Sequence, residues 1–158
     1  MHLAERGRDT TPCACPSGSV AQFGVADLAE ERAHQPSLLT HWPVQLTLVP
    51  PGASFLNGAD VVLAAHCVPF AHADFHRDFL PGHSLLIACP KLDDFRAHLL
   101  KLTEVLKKSD IRSLSVVHME VPCCSGLGYL AREAVKLSGK DIPVSDVTIG
   151  IKGGVKAA

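Results

Sequence analysis

Three apolar segments of this chain have the length and texture of buried β-strands, and each runs into a cysteine. They are residues 60–67 (DVVLAAHC), 84–89 (SLLIAC) and 114–121, the last passing through Pro122 into Cys123 and Cys124. Near-continuous apolar runs, rather than alternating ones, belong to strands covered on both faces, as in a parallel sheet. Helical patterns separate them, and that alternation implies right-handed crossovers. The expected fold is therefore α/β: a three-layer arrangement with a mainly parallel sheet of four to five strands and helices on both faces. Parallel strands share their carboxyl edge, and ligands bind at that edge in open α/β sheets. Thiols far apart in sequence are thus predicted to meet there.

The remaining elements follow from pattern and punctuation. Residues 43–49 (PVQLTLV) read as a first strand stopped by Pro50-Pro51-Gly52, and residues 55–58 allow a short helical turn. Residues 69–79 fit a helix with Phe75 and Phe79 on one side, closed by Leu80-Pro81-Gly82. Residues 92–107 give the clearest helix, with Leu92, Phe95, Leu99, Leu102 and Leu106 at helical spacing. A further helix is expected over 128–137, and a fifth, edge strand over 144–151 before a Gly-rich tail. Residues 1–40 form an N-terminal arm or linker carrying Cys13 and Cys15 and a weak helical pattern over 20–33. Residues 41–158 form the α/β domain.

Composition removes several function classes. The chain has 158 residues, enough for one domain with a real core. A net charge of −1 without a Lys/Arg run offers no footprint for nucleic acid or an anionic membrane surface. Aromatic content of 5% argues against a base-stacking platform. No apolar run reaches the roughly 18 residues of a membrane span, and the first residues lack the apolar core of a secretion signal. A cytoplasmic protein is expected. In that reducing setting six cysteines point to metal or redox chemistry before disulfides.

The cysteines differ in context. Cys89 is followed by Pro90 and Lys91, and a helix starting at once would set its thiol near exposed N–H groups and the positive end of the dipole. Both favour the thiolate, the form that binds metal or attacks an electrophile. A small buried apolar residue is an equally good account of Cys89 taken alone. Cys123 and Cys124 can serve one centre only if the chain turns, which Ser125-Gly126 permits. Gly126-Leu127-Gly128 then lets backbone N–H groups approach an anion or a sulfide. A phosphate loop is the rival reading of this glycine pair, and a weak one, since the Lys and Ser/Thr it requires after the last glycine are missing. Cys13 and Cys15, in PCACP, could fold over the sheet edge and close a site; exposed thiols on a free arm would oxidise.

Histidines are weaker candidates. His66 precedes Cys67, and His72 and His76 are four apart, but without the Glu of HExxH a solvated face is the better reading. His118 shares strand parity with Glu120 and reads as a hydrogen-bonded core histidine. Thiolate-rich sets select zinc, Cu(I) or iron–sulfur clusters rather than magnesium or calcium.

At these same residues the chain resembles a family of ferredoxin-like proteins of anaerobic prokaryotes, described as iron–sulfur cluster-binding or 4Fe-4S proteins. The matching stretches are WPVQLTLVPPGASFLNGADVVLAAHCVPFAHADFHRDFLPG, LLIACPKLDD, SLSVVHMEVPCCSGLGYL and GKDIPVSDVTIGI, with PCACPSGS similar to the family's Cys-x-Cys-Pro turn. The family's N-terminal two-cluster module, with its CxxCxxCxxxCP runs, has no counterpart here, so the likeness is to the second domain. It implies cluster-binding roles for Cys13, Cys15, Cys67, Cys89, Cys123 and Cys124; His66 and His72 fall outside the family pattern.

The leading expectation is an iron–sulfur protein of 4Fe-4S type with an electron-transfer role. Cys67, Cys89 and Cys123 would hold the cluster, with Cys124 or an arm cysteine as fourth ligand. The alternatives are a zinc or other soft-metal thiolate site, and an enzyme with Cys89 or Cys123 as nucleophile, for which no His–acid pair is spaced suitably. A redox partner protein and a second copy of the chain are the partner classes left open.

Overall fold

The computed structural model describes residues 35–157. A five-stranded sheet runs in the order β2-β1-β3-β4-β5, formed by β1 (Asp60–Ala65), β2 (His83–Ala88), β3 (Ser113–Met119), β4 (Val144–Ile149) and β5 (Val155–Lys156). The first four are mutually parallel, and β5 alone pairs antiparallel, with β4. The three cysteine-tipped segments are the three adjacent strands β2, β1 and β3. Strand β1 is the centre: Val61, Val62, Leu63, Ala64 and Ala65 are all buried, which is why its sequence is apolar without alternation.

Between β1 and β2 the chain makes two short helices, α1 (Val68–Ala71) and α2 (Phe75–Phe79). The longer α3 (Phe95–Lys108) and α4 (Ser125–Ser138) follow β2 and β3. The chain moves outward one way from β1 to β2, then back past β1 to β3 and β4. Right-handed crossovers then place α1 and α2 on one face and α3 packed beside α4 on the other. This is the expected three-layer α/β arrangement.

Local boundaries depart from expectation in ways that have physical causes. Residues 43–49 do not form a strand. Only Gln45 bridges Ile87, through the Ile87 N–H to the Val44 carbonyl and the Leu46 N–H to the Ile87 carbonyl, before the chain turns with Leu46 and Val49 fully buried. The predicted helix over 69–79 breaks at His72, whose extended backbone ends α1. Its imidazole bridges the Gly153 carbonyl at 2.7 Å and the Asp78 carboxylate at 2.9 Å. Helix α3 starts at Phe95 rather than 92, because Asp94 caps it by accepting the Ala97 N–H at 2.9 Å. Helix α4 starts earlier than expected, at Ser125, after a 3₁₀ turn over Pro122–Cys124. The predicted helix over 20–33 lies outside the described residues.

The hairpin between β4 and β5 folds back against α1. Gly153 has φ +90°, and a Cβ built there collides with the Ala71 carbonyl. Gly153→Ala is therefore expected to combine backbone strain with a steric clash, lowering stability by more than about 1 kcal/mol. Chemical denaturation measures it, and an unchanged midpoint would contradict this packing.

His41 ties the leading segment to the edge strand. It stacks on Phe55 with centroids 4.0 Å apart, and its Nε2 accepts the Leu85 N–H at 2.8 Å. Burial pushes its pKa below the ordinary histidine value of 6.5. A depressed histidine resists protonation in the fold, so its contribution is complete above pH about 6.5 and drains away as pH falls through the lower folded value. Unfolding free energy should drop across that acid window, and His41→Gln should flatten the drop; parallel pH profiles for the two proteins would contradict this.

Candidate functional site at the carboxyl edge of the sheet

Where strand order reverses, adjacent crossovers leave in opposite directions and open a crevice at the carboxyl ends. Here that point lies between β1 and β3, since β1 leads outward to β2 and the chain returns over it to β3. Cys67 lies just past β1, and Cys123 and Cys124 just past β3, so three thiols flank the reversal point. Cys89 follows β2, one strand further out.

Each thiol is placed by its local chain. Cys67 caps α1, its carbonyl accepting the Ala71 N–H at 3.0 Å, and its side chain is exposed. After β3, Pro122 starts the 3₁₀ turn and Cys124 becomes the N-cap of α4, which resolves the sequence problem of two adjacent cysteines facing opposite ways. Cys123 is half-buried and Cys124 buried. The Cys124 thiol is pushed up to about 11, chiefly by burial and further by the neighbouring Cys123 and Cys67 sulfurs, against a backbone hydrogen bond from Met119. Cys67 and Cys123 thus both lie within electrostatic reach of Cys124. A metal arriving at Cys124 would displace a proton.

Cys89 stands differently from its sequence reading. Helix α3 begins six residues later, so the thiol does not sit at a helix N-terminus. A turn intervenes, in which Asp93 accepts the Cys89 N–H at 2.7 Å and the Cys89 carbonyl accepts the Asp93 N–H at 3.0 Å. The helix-dipole argument for Cys89 fails, and the helix N-terminus at this edge belongs to Cys123 and Cys124 instead. The Cys89 loop still touches that N-terminus: a Cβ on Gly126 would stand 3.3 Å from Pro90 Cβ.

Among the described residues, no three His, Cys, Asp or Glu side chains are close enough together to hold one metal ion. The thiols are gathered on one rim without being set in ligating positions. As a donor set they fit a soft, thiophilic metal, and the α4 N-terminus brings the positive end of a helix dipole beside them. Cys13 and Cys15 lie outside the described residues.

The histidines have structural partners. His66 Nε2 contacts the Gln45 amide. His72 is anchored at both ring nitrogens, and His76 Nδ1 accepts the Leu38 N–H at 3.1 Å. His118 bonds the Met119 carbonyl at 3.0 Å. Sequence reasoning placed Glu120 at this edge without a role. Its carboxylate accepts the Ile151 N–H and the Lys156 ammonium, each at 2.8 Å, and so clasps the β4–β5 hairpin. Lys156 and Ile151 hold that carboxyl below its usual range. A cleft of about 350 Å³ between His118, Glu120, Ser125, Thr148 and Lys156 opens beside the Cys123 turn.

Comparison with known proteins gives a family but no activity. Residues 53–157 match a family described as a Rossmann-like domain. The chain is 34% identical over 115 residues to an uncharacterized protein of Archaeoglobus fulgidus, covering 73% of this chain and 81% of that one. No solved structure matches it.

Proposed function

The chain belongs to the Rossmann-like domain family, and from that premise we propose that its ligand edge holds an iron–sulfur centre of 4Fe-4S type rather than a nucleotide. One observation carries the reading: the loops after β1 and β3, which flank the strand-order reversal, present Cys67, Cys123 and Cys124 where nucleotide binders of this architecture present a glycine-rich phosphate loop. These three thiols would be ligands. The fourth would come from Cys89 in the adjoining loop or from Cys13 or Cys15 of the arm. The resemblance of the cysteine-bearing stretches to ferredoxin-like cluster-binding proteins supports the same choice.

Bound there, the centre would supply one-electron redox chemistry. The chain's own part would be to bury one flank through Cys124 and to set the α4 N-terminus beside the sulfurs, since burial and local charge both tune a cluster's potential. The reading calls for a redox partner protein and for a cytoplasmic setting in which the thiols stay reduced. No helix among the described residues is long and apolar enough to cross a membrane.

Anaerobic purification, reconstitution with ferrous iron and sulfide, and determination of both elements test this. The expected result is a brown protein with iron and acid-labile sulfide in equal amounts. Zinc without sulfide would replace the cluster by a zinc site at the same thiols. A colourless protein that retains neither metal would overturn both.

A further inference from the structure

A chain of three polar side chains on the outer side of β2 takes no part in the thiol rim. Residues 45–49 turn there, directly after the bridge from Gln45 to Ile87. The Leu48 and Val49 N–H groups both donate to the Gln45 carbonyl, at 2.9 and 3.1 Å, which leaves Thr47 at the corner of the turn. Thr47 is exposed. Its hydroxyl stands 3.0 Å from His98 Nε2, in the N-terminal half of α3. The other ring nitrogen, Nδ1, faces the Asp93 carboxylate at 3.6 Å. Asp93 is itself fixed, because it accepts the Cys89 N–H at 2.7 Å.

Burial separates the three roles. The His98 side chain is 5% exposed, so the imidazole is enclosed while the Thr47 hydroxyl meets solvent. His98 Nδ1 is buried with no hydrogen-bond partner among the described residues, and the Asp93 carboxylate is the charge in front of it. That carboxylate favours the tautomer with its proton on Nδ1, which leaves the Nε2 lone pair to accept the Thr47 hydroxyl. A gap of 3.6 Å is longer than a hydrogen bond. In unliganded enzymes such contacts are often long and tighten in the transition state. Hydroxyl, imidazole and carboxylate in this order make an alcohol nucleophilic. The Thr47 N–H forms no backbone hydrogen bond among the described residues, so a donor for a developing oxyanion sits on the same residue.

We propose that Thr47 is an acyl-accepting nucleophile, with His98 as its general base and Asp93 as the residue that positions the imidazole, and that esters of short aliphatic acids are its substrates. The open corner and the neighbouring Leu48, 66% exposed, suit a small apolar acyl group. Thr47 Oγ1 attacks the ester carbonyl carbon as its proton passes to His98 Nε2. The tetrahedral intermediate expels the alkoxide, which takes that proton and leaves as the alcohol, and the acyl group stays on Thr47. Water then attacks the acyl-threonine and gives a proton to His98. His98 returns it to Thr47 Oγ1 as the carboxylic acid departs. None of these steps depends on the metal reading of the rim.

Turnover of p-nitrophenyl acetate by the full chain tests this, with the acetylated residue located by peptide mass spectrometry. Neutral hydroxylamine strips thioesters and spares oxygen esters, so it separates Thr47 from the cysteines. The acetyl group is expected on Thr47. Thr47→Val, an exposed and nearly isosteric change, should lower turnover at least about tenfold, and Thr47→Ser should keep it within about threefold of wild type. Asp93→Asn should lower kcat at least about tenfold with KM unchanged, since Asp93 acts through His98 and not on the ester. Melting curves check the fold of each variant. Equal turnover by Thr47→Val and wild type would overturn the proposal, as would an acetyl group that hydroxylamine removes entirely, which would assign the reactivity to a thiol. An unchanged kcat in Asp93→Asn would overturn the positioning role.

Discussion

Replacing Cys124 with serine is expected to cut iron and sulfide retention by at least about tenfold, with Cys67→Ser and Cys123→Ser giving losses of the same order. Substitutions merely adjacent to metal ligands already weaken binding by about 10–100-fold, and loss of a ligand does no less. The structure ranks these three together because all flank the strand-order reversal, Cys67 just past β1 and Cys123 and Cys124 just past β3. Cys89, fixed in a turn by Asp93 and one strand further out, should matter less. Reconstituted variants compared by elemental analysis, with thermal melting as a check on folding, measure the ranking. Full retention by all three variants would remove these residues from the site.

The second large effect is on stability. Leu63 lies in the middle of β1, fully buried, with β2 on one side and β3 on the other. Leu63→Ala leaves a cavity at the centre of the sheet and is expected to lower unfolding free energy by about 2–5 kcal/mol. Because β1 and β3 deliver the thiols to their common edge, the variant should also bind metal more weakly in proportion to its unfolded fraction. Denaturant titration measures the first effect; a change below about 1 kcal/mol would mean that the centre of the sheet is elsewhere.

Much of this fold was legible because its signals are local. Strands β1, β2 and β3 are short apolar runs punctuated by turn residues, and the helices between them call for parallel pairing; their order, β2-β1-β3, is set by tertiary packing and was not legible. That the thiols after them share one edge needs only parallel direction. What escaped reading depends on partners distant in sequence. The helix break at His72 is fixed by Gly153, 81 residues away. Residues 43–49 have strand composition, yet they meet β2 at its outer edge through a single bridge and spend Leu46 and Val49 on the core. Strand β5 is two residues long in a tail that reads as loop, and it pairs because Glu120 and Lys156 clasp the hairpin.

The start of α3 shows a different failure. Pro90 and Asp94 are both valid helix-start signals, and sequence alone does not choose between them. Asp93 decides the matter by accepting the Cys89 N–H, which closes a turn and delays the helix. The consequence reaches the site, because it moves the helix N-terminus from Cys89 to the Cys123–Cys124 pair.

The most direct measurement is residue-by-residue alkylation of the iron-loaded and the stripped protein under non-denaturing, anaerobic conditions, read by peptide mass spectrometry. If the rim between β1 and β3 holds the centre, Cys67 and Cys123, which are accessible in the fold, will be shielded by loading and will react once metal is removed. Equal alkylation of both cysteines in the two states would contradict the account.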